Sequence, residues 1–367
     1  MTSVQLASEG TSSQDPSTWR TSLMGSDLQA LRDLSRSDFR KHVKKLLVED
    51  HREKYDPGPM VADPDAPPPT STRHIWPRDE IRIKQQIGTA DLQEMLKTRT
   101  LQPDTIIVRD FRGGNAEPSL ELPAQLAKEI LDGSDIAITS ICFRRDRECY
   151  SACEVVVQLS PEHHAVGTSM LREAELIVTK ELDAYWSDLV FHAPNLSTLK
   201  LKQAGHGLGA LSIPDTAVLN FTSLELSGTV FSEDQLLNLL ERSRTSLTNL
   251  SLIMVSLPSA GSWRSFFSHI ATRCTGLTSF HFQLLKVDAR ETPNVKFDMS
   301  GDDIPEPDRD SLELTVKGLA AKPRPQPRTI AVGYSGANVA DVLRVVAESV
   351  VSWGYVGGSH EVVIAKD

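Results

Sequence analysis

Residues 247–252 read Leu-Thr-Asn-Leu-Ser-Leu, and the same hexamer, Leu-x-x-Leu-x-Leu, returns along the middle of the chain. It stands as Leu196-Ser-Thr-Leu199-Lys-Leu201, as Phe221-Thr-Ser-Leu224-Glu-Leu226 and as Leu277-Thr-Ser-Phe280-His-Phe282. A weaker copy precedes them, Leu171-Arg-Glu-Ala174-Glu-Leu176. The five starts, at 171, 196, 221, 247 and 277, lie 25, 25, 26 and 30 residues apart. One such hexamer arises easily by chance; five in near-even succession define a repeating unit. Two earlier segments fit the pattern with longer insertions between them, Val43-Lys-Lys-Leu46-Leu-Val48 and Ile138-Thr-Ser-Ile141-Cys-Phe143. In extended backbone successive side chains point to opposite faces, so the fourth and sixth residues bury while the third, fifth and seventh face outward. No single unit covers its own apolar side, so neighbours must stack into one continuous core.

This spacing is that of leucine-rich repeats, each supplying one strand and one return helix or loop. The expected fold is therefore α/β: an irregular leucine-rich-repeat solenoid, with parallel strands on the concave side and helices and loops on the convex side. The return segments carry helical signals. Ser232-Glu-Asp-Gln235 is a capping-box candidate opening Leu236-Leu237-x-Leu239-Leu240. Trp263, Phe266, Phe267 and Ile270 have helical spacing, and Asn338 is placed to cap a last helix carrying Val342, Leu343, Val346, Ala347 and Val350. Glu361-Val-Val-Ile364 reads as a short terminal strand. Caps are expected from a helix over 25–35, with Leu28, Leu31 and Leu34 on one side, and from the C-terminal helix. Regular repeats place Asn or Cys at the ninth position to satisfy the turn. Here the ninth residues are Ala204, Thr229, Val255 and Leu285, so uneven turns are expected.

The bulk properties narrow the function. A chain of 367 residues is long enough to stack several repeats, and 40% hydrophobic residues suits a body with two solvated rims. The net charge of −10 argues against a nucleic-acid partner, which requires clustered cations. No apolar stretch approaches the ~20 residues that span a bilayer, and residues 1–19 lack the apolar core of a secretory signal. Four scattered cysteines suit a reducing compartment, so cytoplasm or nucleus is expected, with neither membrane nor nucleic acid as partner. Residues 1–24 read as a disordered, Ser-rich tail, and 25–367 as the solenoid. Loop insertions are expected near 56–73, with Pro57, Pro59, Pro64 and the triplet Pro67-Pro68-Pro69, near the acidic 300–310, and near the Pro-alternating 320–328.

The sequence also resembles a family, the leucine-rich-repeat region of fungal F-box-like proteins. The resemblance rests on Phe39-Arg-Lys-His-Val43-Lys-Lys-Leu46, Trp76-Pro-Arg-Asp-Glu80, His192-Ala-Pro-Asn-Leu196-Ser-Thr-Leu199-Lys-Leu201 and the stretch Leu236–Leu252, and covers most of residues 28–350. It implies a substrate-receptor role in a cullin-RING ubiquitin ligase, with an N-terminal F-box holding the ligase adaptor and the repeats holding a target. An F-box is a helical module of about 50 residues, and only the Ser-rich tail precedes Leu28, so the resemblance extends to the repeats and not to a recognisable F-box.

Candidate chemistry is sparse. Gly333-Tyr-Ser335-Gly-Ala337 follows an apolar run and precedes a helix, the setting of a hydrolase nucleophile, with Asp341 or Glu348 and then His360 in hydrolase order. Yet Ala337 replaces the usual glycine, only 25 residues separate Ser335 from His360, and no parallel βα series is expected upstream. An ordinary strand-to-helix turn is the plainer reading. Cys149 and Cys153 with His163-His164 lack the spacing of a common zinc site, and Gly205-His-Gly-Leu-Gly209 lacks the order of a dinucleotide loop. Lys41, Lys44 and Lys45 form a short basic face. No catalytic residue, metal or cofactor is therefore expected.

What remains is the outward strand face. Its residues fall in rows: Glu173, Thr198, Ser223, Asn249 and Ser279; Glu175, Lys200, Glu225, Ser251 and His281; Ile177, Lys202, Ser227, Ile253 and Gln283. The candidate binding residues are Glu175, Thr198, Lys200, Lys202, Ser223, Glu225, Asn249, Ser251, Ser279 and His281. The expected function is a protein–protein interaction module, either receptor-like or a stand-alone scaffold, with a serine hydrolase as the remote third.

Overall fold

Every one of the five hexamers forms a strand, and the five strands lie side by side in sequence order. β6 (Glu173–Val178), β7 (Thr198–Gln203), β8 (Ser223–Ser227), β9 (Asn249–Ile253) and β11 (Ser279–Gln283) are parallel neighbours. Their register is constant: Glu173, Thr198, Ser223, Asn249 and Ser279 stand opposite one another, and so do the residues that follow. The computed structural model describes residues 17–49, 78–111, 120–132, 134–145, 152–160, 167–178, 184–203, 219–287, 295–299, 303–317, 328–356 and 360–365. Among them are seven α-helices and a mostly parallel set of strands, so the class is mixed α/β.

The chain divides into two compact units, residues 1–136 with 144–163, and residues 137–143 with 164–367. In the first, β1 (Thr18–Thr21), β2 (Lys45–Glu49) and β3 (Thr105–Phe111) are parallel, joined through α1 (Gly25–Arg36) and α2 (Arg78–Lys97). α3 (Glu121–Asp132) and β5 (Ala152–Leu159) follow, with β5 antiparallel to β3. Residues 18–21 of the expected N-terminal tail are thus an ordered strand, and the helix over 25–36 connects two strands instead of ending a stack. Residues 56–72 lie outside the described residues.

In the second unit, β4 (Ile138–Arg145) pairs with β6 through residues 140–142, so the expected Ile138–Phe143 copy is a true member of the stack. The fourth and sixth residues of each repeat are the core: Ala174, Leu176, Leu199, Leu201, Leu224, Leu226, Leu250, Leu252, Phe280 and Phe282 are all 2% exposed or less. The return helices are α4 (Ala184–Phe191), α5 (Glu233–Ser243) and α6 (Ala260–Arg273). α5 opens on the expected capping box, Gln235 N–H to Ser232 Oγ and Ser232 N–H to Gln235 Oε1. α6 buries Trp263, Phe266, Phe267 and Ile270, with Phe267 4.8 Å from Phe282 between ring centroids. Complete burial of such rings stabilises by about 2–3 kcal/mol each.

Two devices close the repeats without an asparagine ladder. At the strand entry a hydroxyl donates to the main-chain carbonyl of the same position one repeat earlier. Ser197 reaches Arg172 O at 2.9 Å, Thr222 reaches Ser197 O at 3.1 Å, Thr248 reaches Thr222 O at 3.0 Å and Thr278 reaches Thr248 O at 3.2 Å. At the strand exit the eighth residue is left-handed, with φ of 69° at Gly228, 54° at Met254 and 52° at Leu284. That turn aims Gly228 N–H at Ile253 O and Met254 N–H at Gln283 O, both at 2.8 Å. The ninth residues, Thr229, Val255 and Leu285, are buried, and backbone bonds link Ser256 N to Thr229 O and Lys286 N to Val255 O. A second short parallel pair, β10 (Ser256–Leu257) with β12 (Lys286–Val287), continues this ladder. Main-chain pairing therefore satisfies groups that an asparagine would otherwise serve.

The stack ends differently from expectation. After β11 the sheet continues with antiparallel strands: β15 (Arg328–Ser335), to which β14 (Leu312–Lys317) adds at the side, then β13 (Val295–Phe297), β16 (Val350–Val356) and β17 (His360–Ala365). α7 (Val339–Ser349) buries Val342, Leu343, Val346 and Ala347, as its spacing requires. The cap is thus an antiparallel extension of the sheet together with a helix, and β17 matches the expected terminal strand. Asn338 precedes α7 but does not cap it with its side chain. Within and just past the acidic 300–310 segment, Glu306–Ser311 is a 3-10 turn; of the expected loop at 320–328, residues 320–327 fall outside the described residues and Arg328 opens a strand.

Candidate protein-binding face

Constant register converts the outward positions into straight rows running across the second unit. Neighbouring strands in a sheet stand about 4.8 Å apart, so each row repeats at that interval. The first row is Ser140, Glu173, Thr198, Ser223, Asn249, Ser279 and Ser335; the second is Cys142, Glu175, Lys200, Glu225, Ser251, His281 and Gly333. The third is Ile177, Lys202, Ser227, Ile253, Gln283 and Ala331. All ten candidate binding residues occupy these rows, and each is half-buried or exposed while its sequence neighbours at even positions are buried. The alternation needed to present a solvated face is complete from β6 to β11.

The charged residues among them are not independent. Lys202 Nζ lies 2.5 Å from Glu175 Oε1 and 4.0 Å from Glu225 Oε1, and Lys200 Nζ lies 3.8 Å from Glu225 Oε2. Burial pushes the Glu175 carboxyl up, but the Lys202 hydrogen bond and charge, a hydrogen bond from Cys142 and the nearby Lys200 outweigh it, and the group is held below its ordinary value. Two carboxylates and two ammonium groups thus neutralise one another in the centre of the face. The alternation Glu175, Lys200, Glu225 along one row was the sequence signal for this pairing, legible only once the rows are aligned. Beside the charged centre the surface is apolar: Ile177 and Ile253 are half-buried, and Met254 is 40% exposed at the left-handed turn.

At the β11–β15 junction His281 stands opposite Gly333. A Cβ at Gly333 would come within 3.2 Å of His281 Nδ1, so the glycine makes room for the imidazole, whose Nε2 sits 3.4 Å from Gln283 Oε1. Ser335 is exposed at the end of β15, opposite Ser279. A parallel βα series does exist upstream, contrary to expectation, but β15 runs antiparallel to it, which is not the strand-elbow arrangement of a hydrolase. The Gly333–Asn338 segment has a packing role instead. Tyr334 Oη donates to Asp308 Oδ1 at 2.6 Å, Asn338 Nδ2 donates to both Asp308 oxygens at 3.1 and 2.9 Å, and Asn338 N–H donates to Tyr334 Oη at 3.3 Å. Burial and the Asp308 contact raise the Tyr334 phenol above its usual value. A side chain at Gly336 would strike that phenol, which fixes glycine there.

Of the other sequence candidates, Cys153 is buried, whereas Cys149, His163, His164 and residues 205–209 lie outside the described residues. No group of three metal-ligating side chains occurs among the described residues, and no described helix is long and apolar enough to cross a membrane. No protein-family model, no curated protein and no solved structure matches the chain.

Proposed function

We propose that the chain is a protein-binding module built of irregular leucine-rich repeats, and that the outward face of β6–β11 is its binding surface. The observation that carries this reading is the common register of five parallel strands, each buried on its helix side and solvated on the other. Because Glu175, Lys200, Lys202 and Glu225 pair with one another, covering them costs a partner less than covering four separate charges, although each pair still loses water. The half-buried Ile177 and Ile253 and the exposed Met254 supply the apolar contacts from which affinity derives.

The module reads either as an F-box-type substrate receptor, as the resemblance implies, or as a stand-alone scaffold; residues 17–49 themselves form strand, helix, 3-10 turn and strand, which is not the order of a helical adaptor-binding module. The deciding experiment is affinity capture comparing wild type with Lys200→Glu combined with Glu225→Lys. The exchange keeps an opposite-charge pair at 200 and 225 but sets like charges against Glu175 and Lys202, so the variant is compared only once its circular dichroism and urea unfolding match wild type. Loss of specific partners from the variant supports the face; an unchanged set of partners removes it. Recovery of a cullin adaptor through residues 1–50 would favour the receptor reading over the scaffold.

A further inference from the structure

A second surface lies in the first unit, between the end of α1 and the start of β2. The 3-10 turn Asp38–His42 carries Phe39 at 72% exposure, the most exposed large hydrophobic residue described. The chain does not need it for packing, because Leu34 before it and Val43 after it anchor the turn, at 6% and 5% exposure. Around Phe39 the sequence gathers five cations, Arg36, Arg40, Lys41, Lys44 and Lys45. All but Arg40 are exposed; Arg40 turns its guanidinium to Ser35 O at 3.0 Å. Residues 36–45 hold one acidic residue, Asp38, and Lys45 has further interactions of its own. Asp38 lies 3.8 Å from Lys41 and Asp104 lies 3.6 Å from Lys44. The result is a local excess of positive charge tipped by an aromatic ring, on a chain whose net charge is −10.

We propose that this turn docks a short acidic segment of a partner protein that also carries apolar side chains, with Phe39 as the anchor and the surrounding cations as the electrostatic guide. Charge complementarity selects the occupant. Fields from exposed charges fade over about 8 Å at physiological salt, so a short segment feels the basic turn alone. A protruding ring flanked by cations also matches the aromatic and Arg enrichment of interface anchors. The inference does not depend on the face of the second unit, and either surface can fail without the other.

The test uses the full chain and a short fluorescein-labelled peptide alternating glutamate with leucine, followed by anisotropy. Controls are a lysine–leucine peptide, vesicles of phosphatidylcholine with and without phosphatidylserine, and labelled oligothymidylate. Saturable binding of the acidic peptide is expected, weakening as salt rises. Phe39→Ala should weaken it about tenfold or more, the scale of a lost aromatic anchor. Lys41→Glu with Lys44→Glu should abolish it. Because these side chains are exposed, circular dichroism of the variants should match wild type. The proposal is overturned if the acidic peptide does not saturate, if Phe39→Ala binds it equally, or if only anionic vesicles or the oligonucleotide bind.

Discussion

The left-handed turn at the strand exits makes a reciprocal prediction at two neighbouring repeats. Gly228 occupies φ 69° and a Cβ there would lie 3.2 Å from Gln203 O, a backbone atom that cannot rotate away. Met254 occupies the same turn one repeat later at φ 54°, with a side chain that keeps the steric penalty. The left-handed conformation costs a non-glycine residue about 1–2 kcal/mol. Gly228→Ala also removes unfolded-chain freedom, worth about 0.4–1 kcal/mol in the other direction, so it should destabilise by about 1 kcal/mol plus the effect of the 3.2 Å approach. Met254→Gly should do the opposite: strain relief exceeds glycine's added unfolded entropy by roughly 0.5–1 kcal/mol. Met254 is 40% exposed, so little burial is lost. Urea unfolding and native-state hydrogen exchange at the Gly228 and Met254 amides, which donate to Ile253 O and Gln283 O, read both changes. In a unit of this size 1 kcal/mol moves Tm by about 2–4 °C. A destabilised Met254→Gly, or a neutral Gly228→Ala, would refute the claim that this turn sets the strand exits.

Three further outcomes follow from the side-chain geometry. The Glu175 carboxyl is held below its ordinary value of 4.5, so it contributes stability above that pH and the contribution is lost as pH falls through the lowered value. Lys202→Met should raise the Glu175 titration midpoint, measurable by side-chain carboxyl NMR; an unmoved midpoint would refute the pairing. Burial, with Glu241 nearby, pushes the Cys274 thiol up to about 11, so at pH 8 iodoacetamide should label it only on unfolding. Mass spectrometry showing rapid native labelling of Cys274 would contradict that. Tyr334→Phe leaves Asp308 short of one donor and should destabilise by about 1–3 kcal/mol in urea unfolding; a loss below the error of the measurement would show that the contact is replaceable.

The parallel stack was readable from the hexamers because their inward positions are leucine or phenylalanine at even spacing, and burial admits few alternatives there. Ser232 to Gln235, Trp263 to Ile270 and Val342 to Ala347 likewise announce their helices through capping and period. The first strand did not announce itself: Thr18-Trp-Arg-Thr21 is short and polar, and only pairing with β2 holds it extended. The exit turn was hidden because Met254 and Leu284 are poor left-handed residues, held there by the hydrogen bonds their N–H groups donate to Gln283 O and Ile330 O of the neighbouring strands rather than by local preference. The antiparallel closure escaped for a related reason, since the hydrolase-like Gly333-Tyr-Ser335 reads the same whichever way β15 runs. At the candidate face the residues were identifiable one by one, but their mutual neutralisation was not. Lys202 meets Glu175 across one strand boundary and Glu225 across the other, and such distances exist only after folding.

Lysine reactivity footprinting of a purified complex tests the central proposal most directly. With a captured partner bound, Lys200 and Lys202 should lose acetylation reactivity while Lys97, in the first unit and paired with Asp135, keeps its own. Undiminished reactivity at Lys200 and Lys202, with protection elsewhere, would contradict a binding role for the outward face of β6–β11.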